Sequence, residues 1–270
     1  GLVGSEMCIR DRTVNMGLRV TKMRVVEYGK ENQDVIMLLH GGGLAPWNYK
    51  EEAEQLEDKF HILVPVLDGH SGSDRKFSSI EENAKKLIQY IDEAYSGQVL
   101  FIGGLSLGGQ ILVEMLSQRK DVCRFAIIES ALAMPMKITA SLVKSCFPLC
   151  YPLTKKRWFA KLQFNSLHIK QPLFEDYFKD SAIIRKEDMA AFLRANSDYK
   201  MKDTLSSCRS KTLVLAGGRE QRIMKKSAEL ISKNISDSTF EILPGYCHGD
   251  LSLNHSEKYT EKLLRLIGKI

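Results

Sequence analysis

The sequence has no apolar run long enough to cross a membrane, although 44% of its 270 residues are hydrophobic. A membrane-spanning helix needs about 20 consecutive, mainly apolar residues, so we expect a soluble protein without stable membrane insertion. The chain also lacks internal repeats, low-complexity tracts and the apolar core and cleavage site of a signal peptide. These absences favour one large globular domain, or a core with a small insertion.

The six cysteines lack the spacing of a metal site. Cys146 and Cys150 lie close together in the sequence, but no second pair completes a zinc site. A chain of this length does not need disulfides to fold. We therefore expect reduced cysteines, a cytoplasmic location, no metal and no cofactor.

The net charge of +6 is not accompanied by a nucleic-acid-binding motif or interleaved aromatic residues, so no nucleic-acid partner is expected. The excess charge lies in residues 135–202, which hold 13 Lys and Arg against 6 Asp and Glu. It is either a basic rim above an acyl pocket, attracting an anionic substrate or a membrane surface, or a solvated lysine-rich helix face. We favour the second interpretation.

Residues 1–12 resemble the read-through leader that sequencing adapters leave on predicted proteins. We interpret this stretch as non-native, expect translation to start at Met16, and exclude it from the prediction of the fold.

Short apolar runs alternate with amphipathic helical patterns along most of the chain. The runs predict buried strands near residues 35–39, 62–67, 99–104, 124–128, 212–216 and 239–243, after a partly alternating, antiparallel edge segment at 18–28. This order predicts an α/β fold with a mostly parallel central sheet and helices on both faces. The alternation breaks between residues 135 and 202, which predicts a helical cap inserted between two core segments, 13–134 and 203–270.

A Gly-x-Ser-x-Gly motif occupies residues 104–108, between a buried-strand pattern and a helical pattern. A serine on such a sharp strand-to-helix turn projects from the sheet, and its flanking glycines allow close backbone packing. Because the motif has both flanking elements, it predicts that Ser106 is a nucleophile rather than a serine in an ordinary glycine-rich turn.

A serine hydroxyl needs a base that is itself oriented by a carboxylate. His248 follows the last predicted strand, at the carboxyl edge of the sheet where Ser106 also lies, and is the predicted base. Three other histidines are interpreted as structural or surface residues: His61, His168 and His255.

Two carboxylates are candidates for the acid. Glu220 follows the strand at 212–216 and is favoured, although it could instead be a surface residue paired with Arg219 or Arg222. Glu129, at the end of the strand at 124–128, is the alternative.

Two backbone N–H groups are predicted to stabilise an oxyanion. Leu107 provides one, at the start of the helix after Ser106, and Gly42 provides the other, within His-Gly-Gly-Gly at residues 40–43. No Gly-Lys-Ser/Thr follows these glycines, so a phosphate-binding loop is discounted.

Taken together, residues 40–43, 68–73 and 104–109 and His248 resemble the α/β-hydrolase fold superfamily. The resemblance implies a Ser106–His248–acid triad, an oxyanion hole and a helical cap over the site. Most members of the superfamily place an aspartate where this chain has Glu220.

The expected function is that of a serine hydrolase that cleaves an ester-like bond of a small-molecule substrate through an acyl-enzyme. The same triad could act on an amide, thioester or C–C bond, and the fold could also serve a non-catalytic binding protein. The sequence leaves the substrate and the oligomeric state open.

Overall fold

The structure, a computed structural model, describes residues 9–10 and 23–269, without the side chains of residues 9–10, 138, 142–146 and 148. Its strands form one sheet in the order β1–β2–β4–β3–β5–β6–β7–β8. The strands are β1 (Ile9–Arg10), β2 (Val25–Tyr28), β3 (Val35–Leu39), β4 (His61–Pro65), β5 (Val99–Leu105), β6 (Cys123–Glu129), β7 (Lys211–Gly217) and β8 (Ser238–Leu243).

Strands β3 to β8 run parallel, whereas β2 pairs antiparallel with both β1 and β4 at one edge of the sheet. The antiparallel edge predicted for residues 18–28 is therefore present at β2, and residues 18–22 lie outside the described residues. The leader predicted at 1–12 also lies outside them, except for β1.

Helices cover both faces of the sheet. The core helices are α1 (Lys50–Leu56), α2 (Ile80–Ala94), α3 (Leu107–Gln118), α8 (Arg222–Lys233), α9 (Asp250–Asn254) and α10 (Ser256–Leu266). Strand β3 shows how the two layers arise, because its successive side chains point to opposite faces. Val35, Met37 and Leu39 pack in the cluster that holds α2, α3 and α8, whereas Ile36 and Leu38 pack in the cluster that holds α1 and α10.

Four further helices lie between β6 and β7: α4 (Lys137–Thr154), α5 (Arg157–Ser166), α6 (Phe174–Ile183) and α7 (Lys186–Asp198). This segment contains no strand among its described residues. The prediction of a mostly parallel α/β sheet with an inserted helical region is confirmed, and the exact cap boundaries, 135 and 202, remain a prediction. None of the described helices has both the length and the hydrophobicity needed to cross a membrane.

The turn from β5 into α3 is packed too closely to admit side chains at two of its glycines. A Cβ atom on Gly104 would lie 2.5 Å from the carbonyl oxygen of Gly108, and one on Gly108 would lie 2.1 Å from the carbonyl oxygen of Leu39. Both obstacles are backbone atoms and cannot rotate away. The glycines of the motif therefore allow α3 to start directly against the ends of β3 and β5.

We expect Gly108→Ala to lower the free energy of unfolding by about 3 kcal/mol, because its methyl group would force β3 and α3 apart. Ser117→Ala, which removes only a hydroxyl bonded to the Val113 carbonyl within α3, should change it by less than about 1 kcal/mol. Urea unfolding of both variants tests this difference, and equal stabilities would contradict the packing argument.

Candidate active site

Ser106 lies between the last residue of β5 and the first residue of α3, with φ 52° and ψ −109°. Residues other than glycine rarely adopt a positive φ, because Cβ then crowds the backbone. The strained turn is held by a hydrogen bond from the Ser106 N–H to the Glu129 carbonyl, 2.9 Å long. This conformation leaves the hydroxyl group at the carboxyl edge of the sheet.

His248 brings an imidazole to this hydroxyl from the loop after β8. The distance between His248 Nε2 and Ser106 Oγ is 2.9 Å, although the two residues are 142 positions apart in the sequence. The side chain of His248 is 40% exposed, so the ring is accessible from the adjoining cavity. A neutral imidazole at this distance can accept the hydroxyl proton.

Glu220 approaches the other nitrogen of the ring. Its Oε2 atom is 3.4 Å from His248 Nδ1, a long hydrogen bond. Its Oε1 atom accepts hydrogen bonds from the Ser130 hydroxyl, at 2.5 Å, and from the Gly217 N–H, at 2.9 Å. The side chain is only 1% exposed and contacts His248, so it is not the surface carboxylate that pairing with Arg219 or Arg222 would require.

The surroundings of Glu220 favour its charged form. Burial alone would raise the pKa of this carboxyl, but the hydrogen bond and charge of His248 and the bonds from Ser130 and Gly217 outweigh burial and lower it. Glu220 is therefore a carboxylate at neutral pH, and its negative charge faces His248.

Glu129, the alternative acid, has a different role in the structure. Its Oε1 atom accepts hydrogen bonds from the N–H groups of Leu251, at 3.1 Å, and Ser252, at 3.4 Å, at the start of α9. Burial raises its pKa to about 7, against which the hydrogen bonds from Ser252 act. The carboxyl thus holds the helix after His248, and the Nδ1 atom of that histidine contacts Glu220.

Ser130 is a site residue that sequence reasoning missed. Its hydroxyl donates to Glu220 and accepts a 3.2 Å hydrogen bond from the Gly249 N–H. It is buried, has a φ of 54°, and directly follows β6. Ser130 therefore links the loop that carries Glu220 to the loop that carries His248. A serine after a strand has no distinguishing pattern, so only its position beside Glu129 could have drawn attention to it.

The glycine loop at residues 40–43 is held by two buried histidines. His40 donates from Nδ1 to the Gly41 carbonyl, at 2.9 Å, and accepts the Leu67 N–H at Nε2, at 3.2 Å. These bonds require the neutral ring, and burial lowers the pKa of His40 to about 3. The loop is thus connected to the segment after β4.

His70 makes a similar pair of bonds from the Asp68–Ser73 segment. It donates from Nδ1 to the Asp68 carbonyl, at 3.0 Å, and accepts the Gly43 N–H at Nε2, also at 3.0 Å. Burial lowers its pKa to about 4. The ring stacks on Phe192 of α7, with 4.6 Å between the ring centroids. His70 therefore contacts both the glycine loop and the inserted helices.

Gly42 and Leu107, the two predicted oxyanion donors, lie close together. The N–H of Gly41 is bonded to Asn48 Oδ1 and that of Gly43 to His70. A Cβ atom on Gly42 would lie 3.4 Å from Leu107 Cβ, so Gly42 and the first residue of α3 are in contact. The first N–H groups of a helix have no partner within the helix, and Leu107 occupies that position beside Ser106.

A cavity of about 410 Å³ opens onto Ser106 and His248. Residues from both the core and the insertion line it, among them Leu132, Met136, His168, Asn196, Arg219 and Met224. His168, interpreted from the sequence as structural or surface, therefore lines the cavity. A larger cavity of about 670 Å³ between the start of α2 and α7 does not reach Ser106 or His248, so the chemistry is assigned to the smaller one.

Two large apolar side chains of the inserted helices lie outside the cavity. Leu149 is 81% exposed and Trp158 is 60% exposed, and neither lines the cavity beside Ser106. The apolar part of the cavity comes instead from Leu132, Met136 and Met224. The hydrophobic content of the inserted segment does not indicate which of its helix faces point outward.

The family model for serine aminopeptidase, S33 (Hydrolase_4), matches residues 30–252. The chain belongs to this S33 family. The matched range includes the glycine loop, Ser106, Glu220 and His248, and the resemblance to α/β-hydrolases is thereby confirmed. No curated protein matches the sequence of this S33-family chain.

Solved structures share the fold of this S33-family chain at low sequence identity. An esterase from Thermogutta terrifontis, with malate bound, is 18% identical, with a TM-score of 0.76 over 98% of this chain and 99% of its own. An esterase from Exiguobacterium antarcticum is 20% identical, with a TM-score of 0.76 over 92% of this chain and 96% of its own. MenH from S. aureus is 16% identical, with a TM-score of 0.73 over 93% of this chain and 99% of its own.

We expect His70→Gln to make the stability of this S33-family chain less sensitive to acid. The ordinary pKa of histidine is 6.5, and that of native His70 is about 4. Between these pH values the unfolded chain binds the extra proton, so falling pH costs the wild type up to about 1.4 kcal/mol per pH unit at this site. Glutamine does not titrate.

Urea unfolding at pH 7 and pH 5 provides the measurement. The free energy of unfolding of His70→Gln relative to that of the wild type should rise as the pH falls. Taking this difference cancels the contributions of the titrating groups that both proteins share. A difference that stays constant with pH would contradict the burial of a neutral His70.

Proposed function

We propose that this chain is a serine hydrolase that cleaves an ester-like bond of a small-molecule substrate through an acyl-enzyme. The observation that carries the proposal is the 2.9 Å contact between Ser106 Oγ and His248 Nε2, with a buried carboxylate at the opposite ring nitrogen. In the proposed triad Ser106 is the nucleophile, His248 the base and Glu220 the orienting acid.

In the first half of the reaction, Ser106 Oγ bonds to the carbonyl carbon while its proton moves to His248 Nε2. The carbonyl π electrons move to oxygen, and the N–H groups of Gly42 and Leu107 donate hydrogen bonds to that oxyanion. Glu220 stabilises the imidazolium that forms. The intermediate then collapses, the bond to the leaving oxygen breaks, and His248 returns the proton to release the alcohol.

In the second half, water replaces the alcohol. His248 removes a proton from a water molecule while the water oxygen bonds to the acyl carbon. The N–H groups of Gly42 and Leu107 stabilise the second oxyanion. Collapse breaks the bond to Ser106 Oγ, which regains its proton from His248, and the carboxylic acid is released. Apart from the substrate and water, this cycle uses only groups that the chain provides.

The charges of the cavity support an ester over the N-terminus of a peptide. A free carboxylate makes the strongest hydrogen bonds to a substrate ammonium group, and Glu220 is the only carboxylate among the described residues that line the cavity. That carboxylate is already engaged by Ser130, Gly217 and His248. Amide, thioester and C–C bonds remain chemical alternatives for the same triad.

Ser106→Ala should remove nearly all hydrolysis of 4-nitrophenyl esters of graded acyl length, a loss of about 10⁴-fold or more in kcat/KM, because the nucleophile is gone. The variant should stay folded, and thermal unfolding checks this. Ser117→Ala, at a serine near the end of α3 and outside the cavity, is the matched control and should retain activity. Retained turnover in Ser106→Ala, or none in the wild type, would overturn the proposal.

Substitutions of the two candidate acids distinguish their roles. Glu220→Gln should lower kcat by about 100-fold or more, since an amide cannot stabilise the imidazolium. Glu129→Gln should stay within about threefold of the wild type, since an amide oxygen can still accept the bonds from α9. Steady-state kinetics on one ester gives both numbers. A larger loss in Glu129→Gln than in Glu220→Gln would reverse the assignment.

A further inference from the structure

The cavity beside Ser106 contains an unneutralised positive charge. Its described lining holds one arginine, Arg219, and one carboxylate, Glu220. Glu220 directs both oxygens toward Ser130, Gly217 and His248 and is almost fully buried. It therefore does not neutralise Arg219, although the two residues are adjacent in the sequence.

The guanidinium of Arg219 makes no ion pair or side-chain hydrogen bond with any described residue. Its backbone, in contrast, is fixed: the Arg219 N–H donates to the Tyr246 carbonyl, at 2.9 Å, and the Gly218 N–H donates to the Leu243 carbonyl, at 2.8 Å. These bonds tie the loop after β7 to the loop that carries His248. An exposed cation thus lies at the edge of the cavity, on a loop that backbone hydrogen bonds tie to its neighbours.

Neutral polar groups in the lining could assist in binding an anion. Gln221 and Thr139 carry amide or hydroxyl donors, and His168 adds an imidazole from the segment after α5. The side-chain amide of Asn196 already donates to Gln110 Oε1, at 2.7 Å. Leu132, Met136 and Met224 supply apolar contacts suited to a short carbon chain. The lining therefore combines apolar contacts, hydrogen-bond donors and one unpaired cation.

We propose that Arg219 is a specificity-determining residue that binds an anionic group of the substrate, so that the preferred substrate is a small ester carrying a carboxylate or phosphate. The planar guanidinium fork matches both groups, because each can accept two parallel hydrogen bonds. The proposal rests on the proposed function and adds the chemical class of its substrate. The binding role lies with the loop after β7, and the positive charge of the inserted helices is not required for it.

Two matched pairs of esters test the proposal, with the anion on either side of the scissile bond. Mono-4-nitrophenyl adipate is compared with 4-nitrophenyl hexanoate, and 4-carboxyphenyl butyrate with 4-carbamoylphenyl butyrate. For at least one pair the wild type should prefer the anionic ester by about 2- to 5-fold in kcat/KM, the range of a partly screened ion pair. The preference should decrease as NaCl is raised from 50 mM to 1 M.

Arg219→Ala should abolish this preference, because the KM for the anionic ester rises more than the KM for the neutral ester. Arg219→Lys should restore part of the preference for the anionic ester, because lysine carries the positive charge but lacks the planar, two-pronged guanidinium group. Arg222→Ala, an exposed arginine three positions along the chain and outside the cavity lining, is the matched control. It should keep the preference of the wild type.

Inorganic phosphate distinguishes the two anions. Competitive inhibition of the wild type that is lost in Arg219→Ala, without a preference for the carboxylate esters, would assign the site to phosphate. No anion preference in either pair and no phosphate inhibition, with neutral esters still hydrolysed, would overturn this proposal and leave the proposed function standing. Failure of the wild type to hydrolyse any ester would instead contradict the proposed function.

Discussion

The packing of the start of α3 against the ends of β3 and β5 is the constraint on which the geometry of the candidate site depends. Backbone oxygens of Leu39 and Gly108 occupy the space where side chains on Gly108 and Gly104 would lie. With the helix this close, Ser106 is held in a positive-φ conformation between the two elements. The same packing places Leu107, the first residue of α3, close to Gly42 in the glycine loop that follows β3.

The buried carboxylate of Glu220 determines the geometry on the side of the site that holds His248. A buried negative charge is costly unless hydrogen bonds and a partner charge compensate it. Ser130, Gly217 and His248 provide that compensation for Glu220. The Ser130 hydroxyl also accepts a hydrogen bond from the Gly249 N–H. The acid and the histidine are therefore positioned by one connected network. A glutamate has one more rotatable bond than an aspartate, and the two bonds to Oε1 restrict that added freedom.

The parts of the fold that follow from local chemistry could be predicted from the sequence. Runs of apolar residues mark strands that are buried on both faces, and β3 to β8 occur where such runs were found. Parallel strands bring their carboxyl ends to one edge, which is why residues as distant as Ser106 and His248 could be predicted to meet. Membership in an α/β-hydrolase family followed from glycines whose role is steric.

Other features depend on tertiary contacts that no local pattern encodes. The placement of His168 in the cavity depends on how the inserted helices pack onto the core. The exposure of Leu149 and Trp158 depends on which helix faces are left uncovered. Ser130 matters because of two partners that are 90 and 119 positions away. Its contribution could be recognised only once the three loops were placed together.

The central claim is that Ser106 is a nucleophile activated by His248. Peptide mapping by mass spectrometry after treatment with a fluorophosphonate tests it most directly, because this reagent forms a stable bond with an activated serine oxygen. The account predicts one adduct per chain, on Ser106, and slow or absent labelling in the folded His248→Ala variant. Labelling at another residue, or labelling of Ser106 that is equally fast without His248, would contradict it.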